Sequence, residues 1–320
     1  MDGTELRPLT LGELLDRTFQ LYRNHFWLFV GIMAIPSAFS VPFTVLIFSM
    51  QSSAMAGGPP SPKLVIGMIL SGLVFFCLFC AVYAVAIGAT TYAVSEAYLG
   101  RKVTVRGAYG KVHGNFWRII GVVVVALLRA YGMLILAIIG IAFVVGISAG
   151  ILAAIGRGQP RPIAGIIIGL LMFLSYLAGI GLWVLWSLRY AVSIPALLLE
   201  RVGVLAALRR SVQLTRGRRW QMLVAIFLCT MIAYVGAIVF QGPFFMTLML
   251  STRSGHLPEW LAYAFATSGA IGGAITGPVL LIALVLCYYD TRIRKEAFDL
   301  QFMMSSLDRP VPAPGAGSPA

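Results

Sequence analysis

Six long apolar stretches alternate with short polar segments along this chain. Each stretch is at least as long as the roughly 20 residues that a helix needs to cross a hydrocarbon core of about 30 Å. The stretches show no period-two alternation of apolar and polar residues, which favours helices over the strands of a membrane barrel. The pattern predicts an all-α, polytopic membrane protein with six transmembrane helices. The predicted spans are Phe26–Met50, Leu64–Val94, Trp117–Ile155, Ile163–Leu188, Trp220–Leu250 and Trp260–Tyr289.

A short amphipathic segment followed by a Trp precedes three of the spans, at Trp27, Trp117 and Trp220. Between Leu11 and Phe26 the apolar residues recur every three or four positions, which places them on one face of a helix. Such a helix is expected to lie flat in the membrane interface and to turn into the bilayer at the Trp, which prefers the depth of the lipid headgroups. It would serve as a structural elbow, as a docking surface for anionic lipid, or as both.

The first and third amphipathic segments match residue by residue when they are aligned on their Trp. Arg17 then falls on Arg210, and the neighbouring Thr, Gln and Leu positions also match, whereas the middle segment matches more weakly. The alignment predicts three repeats of an interfacial amphipathic helix plus a helical hairpin, within one membrane domain of residues 1–302. The predicted repeats are about 9–99, 100–199 and 200–300. Residues 303–320 are rich in Pro, Ala and Gly and are predicted to be disordered.

The composition agrees with a membrane location. Hydrophobic residues make up 59% of the chain and charged residues only 11%, against about 25% charged residues in a soluble domain. Most of the Lys and Arg, which give a net charge of +13, fall on one side of the predicted spans. The positive-inside rule then places both termini in the cytoplasm, and no nucleic acid partner is needed to explain the charge. The first apolar run starts only at Phe26 and exceeds the core of a signal peptide, so we expect it to be a span.

The densest basic cluster precedes the fifth span. Its members are candidate contacts for anionic lipid headgroups: Arg209, Arg210, Arg216, Arg218 and Arg219. Near an anionic leaflet, each Arg is worth about 1 kcal/mol of attraction. Positive-inside topology alone explains the same cluster.

Arg129 is a full charge inside an apolar stretch and is therefore a candidate intramembrane polar site. A helix that starts at Trp117 has risen about 18 Å by this position, which is close to the bilayer midplane. The stretch from Trp117 to Ile155 is longer than one span requires, however. Alternatively, its first turns stay in the interface and Arg129 extends to the cytoplasmic side.

Acidic residues recur just past the second, fourth and sixth spans, next to basic residues. The neighbours are Glu96 with Arg101, Glu200 with Arg201, Glu296 with Arg294 and Lys295, and Asp290 with Arg292. Glu200, Asp290, Arg292 and Glu296 are therefore candidate members of cytoplasmic ion pairs. Such pairs would lock the three hairpins together, or they would be ordinary pairs at helix ends, worth about 0–1 kcal/mol when exposed.

Catalytic chemistry has no visible carrier in the sequence. Cys77 and Cys80 have the spacing of a metal or redox pair, but they lie among Phe and Leu without a second pair or a nearby His. No phosphate-binding loop, Gly-x-Ser-x-Gly elbow or zincin motif is present. We therefore predict no enzyme activity, no cofactor and no metal site.

Glycines four residues apart, which let helix backbones approach closely in lipid, occur in three of the spans. They are Gly146 with Gly150, Gly165 with Gly169, and Gly269 with Gly273 and Gly277.

Three parts of the chain together resemble a known family. They are Leu11–Arg23, then Pro195–Glu200 followed by Ala206–Ser211 and Trp220, and finally Tyr288–Leu300. They resemble the glycerophosphoryl diester phosphodiesterase membrane domain family, and the resemblance covers about residues 5–302. It implies a protein of the bacterial cytoplasmic membrane. The phosphodiesterase barrel that follows this region in some members takes about 250 residues, so the resemblance here implies a membrane domain standing alone, without the enzyme's activity.

The favoured hypothesis is a non-catalytic scaffold of the cytoplasmic membrane that interacts with anionic lipid or assembles a complex with another membrane protein. The alternative is a transporter or channel for a small or lipidic solute, with Arg129 as its binding residue. The third hypothesis is an enzyme acting on lipid headgroups, which would require a cluster of acidic and His residues that converge at the interface.

Overall fold

The computed structural model describes residues 9–57, 62–98, 100–155, 162–254 and 259–296, and these parts of the chain are helical apart from short connections. Six helices, namely α2, α3, α5, α6, α9 and α10, are long and apolar enough to cross a membrane, which confirms the six predicted spans. A 3₁₀ turn, Leu188–Tyr190, joins α6 to α7. The helices are α1 (Leu11–Asn24), α2 (Phe26–Gly57), α3 (Pro62–Tyr98), α4 (Val105–His113), α5 (Phe116–Ile155), α6 (Pro162–Ser187), α7 (Ser193–Leu199), α8 (Val204–Thr215), α9 (Arg219–Ser254) and α10 (Glu259–Glu296).

Local sequence signals determine where several helices begin. At α1 the backbone N–H of Glu13 donates to Thr10 Oγ1 at 3.3 Å, and the Thr10 N–H donates to Glu13 Oε2 at 2.8 Å. This reciprocal capping box satisfies two backbone donors that the helix itself leaves free. Pro62 and Pro162 are the first residues of α3 and α6, where the missing N–H of proline costs no hydrogen bond.

Helix α10 is the centre of the molecule. It packs most extensively against α2 and α9, and it also contacts α1, α3, α7 and α8. In its most apolar stretch 56% of the residues are buried, against at most 17% in any of the other five long helices. The other long helices therefore present most of their apolar surface outward, as helices that face lipid do.

The buried core lies at one end of the long helices. This end, called the basic end below, comprises α1, α4, α7 and α8, the starts of α2, α5 and α9, and the last turns of α3, α6 and α10. Its largest buried side chains include Phe29, Ile32, Ile119, Leu208, Ile282 and Tyr288. The parts of α5 and α6 away from this end expose many Ile, Leu and Phe side chains.

Helix α1 does not lie flat across the end of α10. Near its start the Leu9 N–H donates to Asp290 Oδ1 at 2.8 Å, and near its end the Tyr22 hydroxyl donates to the Ile275 carbonyl at 2.5 Å. The two α10 residues are separated by about 22 Å along a helix that rises 1.5 Å per residue. Helix α1 therefore runs obliquely along α10, because its apolar face packs against that helix. Burial raises the pKa of Tyr22 to about 12.

Only the glycines of α10 are used for helix packing, among the predicted sets that the structure describes. Gly269 lies against Gln241 of α9, while Gly273 and Gly277 lie against Ser37 and Met33 of α2. By contrast, no neighbouring atom lies within 4 Å of the position that a Cβ would take at Gly146, Gly150 or Gly169. The side-chain environment of residue 165 lies outside the described part of the chain. Spacing alone therefore did not separate packed glycines from lipid-facing ones.

Replacing Gly236 of α9 by Ala is expected to lower the free energy of unfolding by about 1–3 kcal/mol, the usual cost of overpacking. The new Cβ would overlap Cγ2 of Thr276 on α10. Thr276 is stiff at χ1 and is held by a 2.9 Å hydrogen bond from its Oγ1 to the Gly272 carbonyl, so it does not move aside readily. Denaturant unfolding in detergent micelles measures the effect. Gly146→Ala is the control and is expected to be neutral, and equal losses in both variants would contradict this packing.

Candidate functional site

A network of charged side chains joins α7, α8 and α10 at the basic end. Glu200, which follows the last residue of α7, accepts hydrogen bonds from Arg210 Nε of α8 at 2.8 Å and from the Tyr288 hydroxyl of α10 at 2.9 Å. Arg210 also forms an ion pair with Glu296. Arg292 Nε lies 3.2 Å from Glu296 Oε2 and 3.8 Å from Glu200 Oε1. Two carboxylates and two guanidinium groups thus alternate around one partly buried cluster.

The environment of Arg210 explains why its guanidinium group stays charged inside this cluster. Burial by itself disfavours the charged guanidinium, but hydrogen bonds and attraction from Glu200 and Glu296 outweigh it, and together they raise the pKa of Arg210 above its ordinary value. The side chains of Glu200, Arg292 and Arg210 are 13%, 17% and 27% exposed. Pairs with so little solvent are screened much less by salt than surface pairs.

A second charged group attaches the start of α1 to α10. Asp290 accepts the Leu9 N–H, and Arg294 donates to the same carboxylate at 2.9 Å and to the Leu9 carbonyl at 2.6 Å. Both polar groups of the Leu9 backbone are therefore satisfied by one ion pair of α10. Asp290 and Leu9 are almost completely buried.

The last turns of α10 make further contacts with α3 and α8. The Tyr289 hydroxyl shares a 2.7 Å hydrogen bond with Ser95 of α3, and Lys295 donates to the carbonyls of Gln213 and Arg216 at the end of α8. The segment Tyr288–Glu296, called the α10 terminus below, thus contacts four other helices through polar groups.

The structure assigns different partners from those expected for three of the four acidic residues. Glu200 pairs with Arg210 and not with Arg201, Asp290 pairs with Arg294, and Glu296 pairs with Arg210 and Arg292. Side chains four residues apart share a helix face, whereas those two apart, such as Asp290 and Arg292, do not. Only Glu96 lies beside its expected partner, 3.4 Å from Arg101, and that Arg is 58% exposed.

The five candidate lipid contacts, which extend from α8 to the first residue of α9, have unequal surroundings. Arg209 and Arg216 are exposed. Arg210 belongs to the charged network, and Arg218 is half-buried and donates to the Gln221 side chain. Arg219 is half-buried, with its Nε covered and without a hydrogen-bond partner in the described part of the chain. Since Arg210 is committed to carboxylates, the structure argues against its role as a lipid contact.

Arg129 lies on an exposed face of α5, level with the last turn of α6. Helices α5 and α6 run antiparallel, with the ring of Tyr131 6.0 Å from that of Trp183 and with Gly179 against Ile141. Helix α5 has 40 residues and α6 only 26, so the turns of α5 before Arg129 extend past the end of α6. There Ile119 is buried in the core of the basic end. This position favours the interfacial alternative for Arg129, and neither cavity described below is lined by it.

Two features of the site have no signal in the sequence pattern. The Tyr288 hydroxyl and the Leu9 backbone each bind a carboxylate from a distant part of the chain. A local pattern reports on neighbours along one helix, and these contacts join residues more than eighty positions apart.

Within the described residues, no three His, Cys, Asp or Glu side chains converge on a possible metal position. Cys77 is exposed on α3, and Cys229 and Cys287 are buried.

No model of a protein family, no curated protein and no solved structure matches this chain.

Proposed function

We propose that this chain is a non-catalytic multi-pass protein of the cytoplasmic membrane whose basic end binds acidic phospholipids of the inner leaflet. The observation that carries the proposal is a surplus of exposed cations at the basic end. These cations have no carboxylate partner in the described part of the chain: Arg23, Lys102, Arg106, Lys111, Arg118, Arg201, Arg209 and Arg216. Each is worth about 1 kcal/mol of attraction to an anionic surface.

The acidic residues of the basic end do not balance this surplus because internal contacts occupy most of them. Glu96, Glu200, Asp290 and Glu296 are in ion pairs, and Glu13 caps α1. The outward-facing field at this end is therefore positive, and lipid phosphates are the counterions that a cytoplasmic leaflet supplies.

Three exposed Trp side chains support a headgroup depth for the same end. Trp27, Trp117 and Trp220 stand in the first turns of α2, α5 and α9, and each is more than 70% exposed. An indole with an apolar body and one N–H donor is most stable where hydrocarbon meets headgroups. The three residues thus support the proposed position of the basic end at the headgroups of the inner leaflet.

We propose that three repeats share this arrangement. A short helix precedes each pair of long helices: α1 before α2 and α3, α4 before α5 and α6, and α8 before α9 and α10. Gly31 and Gly121, each four residues after a Trp, meet Val105 and Val204, the first residues of the next short helix. Helix α1 contacts the last pair of long helices, α9 and α10.

Equivalent Arg residues also make equivalent contacts. Arg17 donates to the Tyr98 hydroxyl at the end of α3, and the aligned Arg210 pairs with Glu296 at the end of α10.

In the proposed orientation both termini are cytoplasmic. Labelling that places residues 58–61 and the C-terminus on the same membrane face would contradict it.

The lipid part of the proposal is tested by reconstitution into nanodiscs. The thermal unfolding midpoint is expected to be several degrees higher in discs that contain phosphatidylglycerol than in discs of phosphatidylcholine alone, because binding to the folded state alone stabilises it. Raising the salt concentration should shrink the difference, since exposed charges are screened. Midpoints that are equal in both lipids at low salt would remove the proposal.

A further inference from the structure

A basic cavity opens at the basic end between α3, α4, α5 and α7. Its volume is about 200 Å³, far more than the roughly 15 Å³ that one water needs. Its polar lining residues are Tyr92, Lys111, Asn115, Arg118 and Arg201, and its apolar lining residues are Val112, Leu198 and Leu199.

The polar lining of this cavity is suited to an anion. Lys111, Arg118 and Arg201 come from three separate segments, and none of them is in an ion pair within the described residues. Among the described residues no carboxylate lines the cavity, and Asn115 adds an amide. The Tyr92 hydroxyl at its edge is hydrogen-bonded to Glu96, which leaves the three cations as the main donors. Ammonium and guanidinium groups that converge without a carboxylate form the donor set that binds phosphate.

The depth of the cavity favours a lipid phosphate over a soluble one. Arg118 follows Trp117, whose exposed indole indicates the headgroup level. Val112, Leu198 and Leu199 add an apolar wall, which would contact the glycerol and the first methylenes of a phospholipid but offers nothing to free phosphate.

The backbone of Arg201 is the second, independent observation. Arg201 follows Glu200, the C-cap of α7, with φ of 53°, and it is the only non-glycine residue with positive φ in the described part of the chain. This left-handed position after a helix usually holds glycine, since a Cβ there costs roughly 1–2 kcal/mol. Strained positions of this kind cluster at active sites and ligand clamps, and the Arg201 side chain lines the basic cavity.

We propose that Lys111, Arg118 and Arg201 form a discrete binding site for the phosphate of an anionic phospholipid. This inference rests on the proposed lipid binding of the basic end and goes beyond it, because it replaces a diffuse charged surface with one cavity and three named ligands. Arg201 is the diagnostic residue, since glycine at its position should relieve backbone strain while removing a cation.

The test uses the full chain in mild detergent, with bound lipid counted by native mass spectrometry during titration with phosphatidylglycerol. Arg201→Gly is expected to bind the lipid about tenfold more weakly, the effect of losing one charge-assisted hydrogen bond. Its unfolding midpoint without lipid should be equal to or higher than that of the parent. Arg118→Gln should weaken binding to a similar extent, and it provides a second route if one variant folds poorly.

The control is Arg209→Ala, which removes one exposed cation of α8 outside the cavity. Its attraction to an anionic leaflet does not act on single lipids in detergent, so this variant should change the affinity less than twofold. Equal losses in Arg201→Gly and Arg209→Ala would overturn the cavity site while leaving diffuse lipid binding intact. An absence of preference for phosphatidylglycerol over phosphatidylcholine in the parent would instead remove the proposed function. Displacement of bound lipid by millimolar inorganic phosphate would overturn the assignment to lipid.

Discussion

Replacing Glu200 by Ala is expected to lower the free energy of unfolding by about 3 kcal/mol, the lower end of the range for breaking a buried ion pair. The variant would remove a carboxylate that Arg210 and Arg292 share with Glu296, and it would leave the Tyr288 hydroxyl without its acceptor. Most of the loss comes from guanidinium groups that stay partly buried with less compensation. Denaturant unfolding of the purified chain in detergent measures it.

The matched control for this variant is Glu96→Ala. Glu96 also forms an ion pair with an Arg near a helix end, but its partner Arg101 is 58% exposed, so the expected loss is below about 1 kcal/mol. A double variant, Glu200→Ala with Arg210→Ala, should lose less than the sum of the two single variants, because it removes an uncompensated charge. Similar losses at Glu96 and Glu200 would show that the network is an ordinary surface feature.

The long helices were predictable from the sequence because lipid imposes a local rule. A chain without water around it must satisfy each backbone group within its own helix, so length and apolarity suffice to identify a span. For this reason the predicted start at Trp117 and the observed start of α5 at Phe116 differ by one residue.

The charged site was less predictable because tertiary packing determines which charged residues form pairs. Proximity along the chain suggested Arg201 as the partner of Glu200, but the left-handed backbone of Arg201 places its side chain in the basic cavity. Arg210, ten residues away, takes its place because α8 folds back beside α7 and α10. The position of Arg129 relative to the membrane was ambiguous for a related reason. Only the packing of α6 beside α5 shows that the turns of α5 before Arg129 extend past the end of α6.

The contacts of the α10 terminus explain how a loosely packed set of membrane helices holds a defined shape. Lipid competes for apolar helix faces and leaves little hydrophobic drive for their association. Polar contacts at the basic end do not face that competition. In the proposed repeat, the position equivalent to Arg17 and Arg210 is Gly107 in the middle unit, which supplies no such side chain. Consistently, among the long helices α6 packs extensively against α5 alone.

Replacing Asp290 by Ala is expected to release the start of α1 and to lower the free energy of unfolding by about 2 kcal/mol, a typical value for hydrogen bonds to a charged group. The Leu9 N–H would lose its acceptor in a buried position, and Arg294 would lose its carboxylate. Asp290→Asn keeps an oxygen that can accept from Leu9 but removes the ion pair, so its loss should be intermediate.

Cys287 provides a direct reporter of this release. It is buried on α10, beside a cavity of about 30 Å³ that is also lined by Leu9, Leu14 and Met222. When α1 separates from α10, the Cys287 thiol becomes accessible, and a maleimide located by peptide mass spectrometry should react with it several times faster than in the parent.

Asp16→Ala is the matched control for Asp290→Ala. It also removes one acidic charge, but from an exposed position of α1, so it should leave both the stability and the labelling of Cys287 unchanged. Unaltered labelling in Asp290→Ala, together with a normal unfolding midpoint, would show that the apolar face of α1 alone holds it on α10. The ion pair would then only set the register of the helix.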